Sequence, residues 1–308
     1  MFKRVQDRVW AFDAEWVPDP PTGRAVYGLA GDVADEAVVE EMWRQGGATE
    51  EEPRPYLKTV LCRVVSIAAV TRAVEGGSAQ LGLHSLPDVA GGHPDASEAD
   101  IIGRFLDGVG KQKPQLVGFN SESADLRILL QRSLANGVTA PDFARRPEKP
   151  WEGVDYFTTT AADWHVDLIE TVGGRGRSRP SLHEMAVSCG IPGKFTGAGS
   201  DVLELWRAGD VAAIVAYNEF DALTTYLLWL RAALFGGFFT ADQHRREEER
   251  VVELLQAEAA GSRPHLQAFL DEWQRLGGAG RGAAGTGDGP GAGDAPSGGP
   301  EPQFELPL

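Results

Sequence analysis

The chain has 308 residues and a net charge of −16 at neutral pH, which argues against broad electrostatic binding to nucleic acid but not against an acidic site that reaches phosphates through cations. No stretch approaches the roughly 20 continuous apolar residues of a membrane span, and the opening MFKRVQDRVWAFDAEW has no signal-peptide apolar region. Cys62 and Cys189 stand alone in apolar surroundings, so they read as buried thiols of a reducing cytoplasm and not as a disulfide or a zinc site.

In chain order, RVWAFDAEWV (residues 8–17) has the aromatic and β-branched content of a central strand. Residues 18–55 are rich in proline, glycine and acid; they read as a surface insertion with one helical piece, DVADEAVVEEMWRQ. TVLCRVVSIAAVT predicts a second strand, Gly76–Gly77 a turn, and AQLGLHSL a third strand. SEADIIGRFLDGVGK begins with Ser97 as N-cap and carries apolar residues at helical spacing. QLVGFN is a short buried strand, SADLRILLQRSLANG an amphipathic helix closed by Gly137, and WHVDLIE (164–170) another short strand. Helices follow over SLHEMAVSCGI, SDVLELWRAG and residues 210–236, then over the charged ADQHRREEERVVELLQAEAA and the short HLQAFLDEWQRL. Within the charged helix, HRREEER reads as a solvated face. The order predicts an α/β sheet covered by helices. Residues 1–240 form the main domain, 241–276 a helical extension, and 277–302 a Gly-rich disordered linker that cannot bury a core.

Four acids stand out by position. Asp13 and Glu15 lie two apart on the first strand, so period two puts both on one face among apolar neighbours. Two such carboxylates repel and lose solvation unless a cation joins them, one is protonated, or each meets an arginine. Asp125 follows the strand QLVGF at a helix start, where α/β sheets place their sites; as a first-turn acid it also suits the helix dipole. Tyr217 and Asp221 are four apart, on one face of a mostly apolar helix.

The ordered set D-x-E, N-x4-D and Y-x3-D resembles the tyrosine branch of the DEDD superfamily of 3′–5′ exonucleases. FDAEWVPD, VVSIAAV, LVGFNSESADLRILLQRSLANG, HVDLIE, SLHEMAVSCGIPGK, LWRAGD and IVAYNEFDALTTYLLWLR line up, over about residues 8–236, with bacterial predicted exonucleases related to the proofreading domain of family B DNA polymerases. The resemblance implies a ribonuclease-H-like mixed β-sheet flanked by helices. It also implies two divalent ions, Mg²⁺ or Mn²⁺, with Asp13 bridging both, Glu15 and Asp221 completing the first, and Asp125 holding the second. Tyr217 would orient the attacking water. Asn120 matches the asparagine of the second motif, as a positioning or a turn residue. Asp167 matches an acid common in the family, and Phe12 packs beneath the site or touches substrate. Ala124 and Trp16 depart from the family pattern, which bears on how a terminal nucleotide is stacked. Arg175, Arg177 and Arg179 alternate in a loop suited either to single-strand phosphates or to solvent. The implied activity is 3′–5′ hydrolysis of single-stranded DNA in repair or proofreading. An exoribonuclease of the same fold and a non-catalytic nucleic-acid-binding module are the rivals.

Beyond the linker the sequence reads QFELPL. Gln303, Phe304, Leu306, Pro307 and Leu308 resemble the short peptide by which bacterial DNA-processing proteins dock on the replicative sliding clamp, with Phe304 where leucine is usual. An apolar pair for a pocket and a glutamine for orientation suit a tethered ligand; a fold-back onto the domain is the alternative.

Overall fold

The computed structural model describes residues 2–149, 151–157, 164–173, 179–194 and 202–278. Residues 279–302 of the predicted linker, the peptide at 303–308, Arg175 and Arg177 lie outside the described residues. A five-stranded mixed sheet forms the centre, in the order β3-β2-β1-β4-β5. β1 (Arg8–Pro18), β2 (Cys62–Glu75) and β3 (Ser78–Leu86) are antiparallel neighbours, whereas β4 (Gln115–Gly118) and β5 (His165–Asp167) run parallel to β1. The β2–β3 hairpin closes through Gly76 and Gly77, whose φ values of 58° and 82° lie in the left-handed region that two-residue hairpin turns require. The α/β expectation holds, and the architecture is consistent with a ribonuclease-H-like fold.

Alternation along β1 sorts the two layers. Trp10, Phe12 and Ala14 face α3 (Glu98–Gln112) and α4 (Asp125–Asn136), in a core with Ile102, Phe105, Leu106, Ile128 and Leu129. Val9 and Ala11 face the other way, into a core built around α9 (Val211–Phe235). Ser97 caps α3 through a reciprocal bond pair with Asp100, and Gly137, at φ 65°, closes α4.

Four readings change. The insertion is less superficial than its composition suggests: it holds α1 (Pro20–Tyr27), opened by two prolines, and α2 (Asp35–Gln45), whose Val38 and Met42 are fully buried against the α3/α4 core. Proline-rich sequence starts a helix there because the first turn needs no N–H donors. The strand predicted over 164–170 ends at Asp167, whose carboxylate accepts from the Ile169 N–H at 3.2 Å and starts α6 (Leu168–Val172). The expected helices follow as α7 (Leu182–Ser188) and α8 (Val202–Arg207), whereas α5 (Pro141–Ala144), upstream, is unexpected and carries no sequence signal strong enough to be read. The charged helix, α10 (Ala241–Ala260), is not merely solvated. His244 and Glu247 are buried, and Glu247 holds Arg72 of β2 at 2.9 Å. With α11 (Leu266–Arg275), α10 shares the core of α9 through Val251, Leu255, Phe269 and Trp273. Among the described residues no helix is long and apolar enough to cross a membrane.

Candidate active site

β1 outruns its parallel neighbour. β4 pairs with Val9–Ala11 and ends at Gly118, so beyond Phe12 the edge of β1 has no strand beside it. The chain turns away there because Asn120 adopts a left-handed φ of 66° and Ser121 folds back over Gly118, leaving no room for a side chain at 118. The Asp167 carboxylate pins this turn, accepting from the N–H groups of Asn120 at 2.7 Å and Glu122 at 2.9 Å. The turn delivers Asp125 to the first position of α4, where its Oδ1 accepts the Ala14 N–H at 3.0 Å. Asp125 is thereby fixed to the backbone between Asp13 and Glu15.

From the other side α9 brings Asp221 and Tyr217. One carboxylate oxygen from each of Asp13, Glu15 and Asp221 lies within 4.8 Å of the other two. The Tyr217 ring sits in a small apolar cluster with Val17, Val65, Val202 and Ile214, and its hydroxyl has no well-formed hydrogen bond among the described residues. Lys194 is the cation here, its Nζ 3.7 Å from the Asp221 carboxylate and 5.3 Å from the centre of the Tyr217 ring. Ser66, the cross-strand partner of Glu15, and Asn218 of α9 are fully buried with their side-chain polar atoms unpartnered among the described residues. Buried polar groups are rarely left in that condition unless water or ions complete the site.

The charges are under-compensated. Burial, and then the fields of Asp125, Asp221 and Glu15, hold the Asp13 carboxyl well above its ordinary pKa, with Lys194 opposing. Burial and the charge of Asp221 do the same to Glu15. Burial lifts Asp125 to about 7 against the pull of its two backbone hydrogen bonds, and burial also raises Asp221 despite Lys194. The Tyr217 hydroxyl is pushed upward by burial and then by Asp221, Glu15 and Asp13, so the phenol stays protonated. Oxygen-only donors with raised proton affinity fit a hard divalent cation, which would replace protons on these groups.

The remaining expected site residues separate from this cluster. Phe12 is fully buried on the opposite sheet face, with its ring packed 5.3 Å from that of Phe105 in the core. Asn120 makes the turn, and its Oδ1 accepts from Arg179 at 3.2 Å. Arg179 also pairs with Glu170 at 2.9 Å. Asp167 is structural, for the reasons above. Lys194 carries no signal in the sequence, because a lone lysine after IPG has no periodicity or partner there to mark it.

This arrangement defines an α/β protein with a partly buried carboxylate cluster suited to divalent ions at the open end of a central strand. The chain belongs to a family described as predicted 3′–5′ exonucleases related to the exonuclease domain of PolB, whose family model matches residues 54–273. None of the curated proteins compared matches it. The matched region contains Asp125, Lys194, Tyr217 and Asp221, all of α10 and most of α11; Asp13 and Glu15 precede it. Membership supports nuclease activity, and hence nucleic acid as the class of substrate.

Proposed function

We propose that this protein removes nucleotides from the 3′ ends of single-stranded DNA with the help of two divalent ions, Mg²⁺ or Mn²⁺, in DNA repair or proofreading. The observation that carries the reading is the convergence of Asp13, Glu15 and Asp221 within 4.8 Å of one another, beside an Asp125 anchored to the same strand. Such ions, when bound, would activate the attacking water and stabilise charge on the phosphate and the departing 3′ oxygen. Asp13, Glu15, Asp221 and Asp125 are the proposed ligands that would hold these ions between them.

Tyr217 stays a phenol at neutral pH and offers a rigidly packed hydroxyl to position water. Lys194 holds Asp221 in the absence of metal. Its side chain is 36 % exposed, so its ammonium can swing from the acids to a phosphate oxygen once the acids take up other cations. Arg179, and Arg175 and Arg177 from the same loop, are the proposed contacts to the phosphate backbone. Asn120 holds Arg179 in place at the turn. The segment Gln303–Leu308 is the proposed tether to a sliding clamp, and its deletion is expected to reduce retention on immobilised clamp.

Degradation of 3′- and 5′-labelled single-stranded DNA and RNA, with Mn²⁺, Mg²⁺ or EDTA, tests the activity. The expected outcome is shortening of DNA from the 3′ end, abolished by EDTA and by Asp13→Ala. Equal activity in that variant overturns the site, and preference for RNA reassigns the substrate to the exoribonuclease reading.

A further inference from the structure

Past Asp221, α9 runs on for almost four turns, and its far half borders an apolar groove of about 400 Å³. Phe119 after β4, Leu168 of α6, Met185 of α7, Cys189 after it, and Leu228 and Phe235 of α9 line the groove. Phe235, at the end of α9, is 84 % exposed. Arg231 is the cation of the lining: one guanidinium nitrogen pairs with Glu248 at 3.2 Å, while its buried Nε has no partner among the described residues. Large apolar side chains left open along a groove mark a surface that something covers.

The described chain ends at the rim of this groove. The Gly278 N–H donates to the Trp273 carbonyl at 3.1 Å. A side chain at 278 would collide with the Gly190 carbonyl and the Trp273 ring. The chain is therefore seated against Gly190, the neighbour of groove-lining Cys189. Of the residues beyond, 279–302 include no large apolar side chain, and Phe304, Leu306 and Leu308 then come together around Glu305.

We propose that Gln303–Leu308 docks in cis into this groove. Phe304, Leu306 and Leu308 cover its apolar walls, and Glu305 meets Arg231. Pro307 favours an extended backbone at Leu306, which suits a shallow groove better than a helix would. The 24 residues of 279–302 give a Gly-rich tether an r.m.s. reach of about 25–29 Å. Starting at the rim, that tether puts the peptide at millimolar effective concentration, far above the concentration of a second copy in a dilute sample. The contact shields the apolar segment from water, and any partner that takes the peptide must first displace it from the groove, which lowers the partner's apparent affinity. This inference does not depend on the nuclease reading.

Cys189 is a built-in probe, because it is half-buried in the groove while Cys62 is buried with its thiol pushed up to about 12. The test is iodoacetamide alkylation of Cys189 in the full chain, wild type beside the Phe304→Asp/Leu306→Asp double variant, read by mass spectrometry. The expected result is alkylation ~10-fold faster in the double variant, with the wild-type protection independent of protein concentration and the protein monomeric by light scattering. Equal rates overturn the proposal. Protection that grows with concentration, or a dimer lost in the double variant, places the peptide on a second copy and also overturns it. A second measurement compares the single variants Leu308→Cys and Ser297→Cys under mild oxidation. The Leu308→Cys protein is expected to form a disulfide with Cys189 about tenfold faster than the Ser297→Cys protein, whose new thiol sits on a similar tether but outside the apolar segment. Equal rates again count against docking.

Discussion

Glu219 and Asp221 lie two residues apart on α9, both almost fully buried, and their environments are opposite. The Glu219 carboxylate is held by Ser85 Oγ, by Arg263 at 2.9 Å and by His265 at 2.6 Å. Burial works to raise its pKa, but the bonds from His265 and Ser85 and the charge of Arg263 outweigh it and bring Glu219 below the usual value. Asp221 has Asp13, Glu15 and Asp125 for neighbours and a lysine at 3.7 Å, and burial raises its pKa against the pull of Lys194 and Tyr217. Glu98 repeats the first pattern: Arg132, Asn136 and the Val64 N–H satisfy it on the other sheet face. A buried acid is therefore not in itself a sign of function. The acids that share too few cations are the ones that call for a further cation.

Substitutions in the two regions should part stability from activity. Asp13→Asn is expected to lower the exonuclease rate by roughly 10⁴-fold while raising the melting temperature of metal-free protein, because it removes an acid whose ionised form is disfavoured by burial and by the neighbouring acids. A variant that loses activity only by unfolding would erase the contrast. Glu219→Leu is expected to do the reverse, costing on the order of 3–5 kcal/mol in urea unfolding by stranding Arg263 and His265, with little change in rate per folded molecule. Lys194→Met should cut kcat by roughly 10²-fold with KM for oligonucleotide little changed; an unaltered kcat would remove Lys194 from the phosphate.

Titration sharpens the same comparison. The raised carboxyls of Asp13, Glu15, Asp125 and Asp221 hold protons in the folded state that the unfolded chain has released. As far as these groups are concerned, the stability of metal-free protein is full below about pH 4, the ordinary carboxylate value. It is lost as pH rises toward the folded pKa of Asp125, about 7. Mn²⁺ at a hundred times its Kd should restore about 2.7 kcal/mol in alkaline buffer and much less in mildly acidic buffer, where protons compete for the same oxygens. Calorimetric scans on either side of the Asp125 pKa check this, and an equal shift at both would mean that the acids are not the binding groups. The smallest effect is expected from Arg179→Ala, a rise in KM of no more than about fivefold, as befits a solvent-facing ion pair worth up to about 1 kcal/mol.

The order of the strands and of the longer helices, the Ser97 and Gly137 caps, the Gly76–Gly77 turn and the shared face of Asp13 and Glu15 were legible in the sequence, because each is set within a few residues by backbone geometry and side-chain period. The spacing of Tyr217 and Asp221 was legible for the same reason. Which partner each acid finds was not. Glu247 looked solvated because Arg72, its partner, lies 175 residues away, and α2 looked superficial because the core that receives Val38 and Met42 is assembled from distant strands. Only the tertiary structure set Asp125 against the Ala14 N–H, gave Glu219 its cations and left Asp221 with Lys194 as its one cation among the described residues. Local pattern decides which face a side chain occupies; the sum of charge and solvent around that side chain comes from every element packed against it, and exists only once the chain has folded.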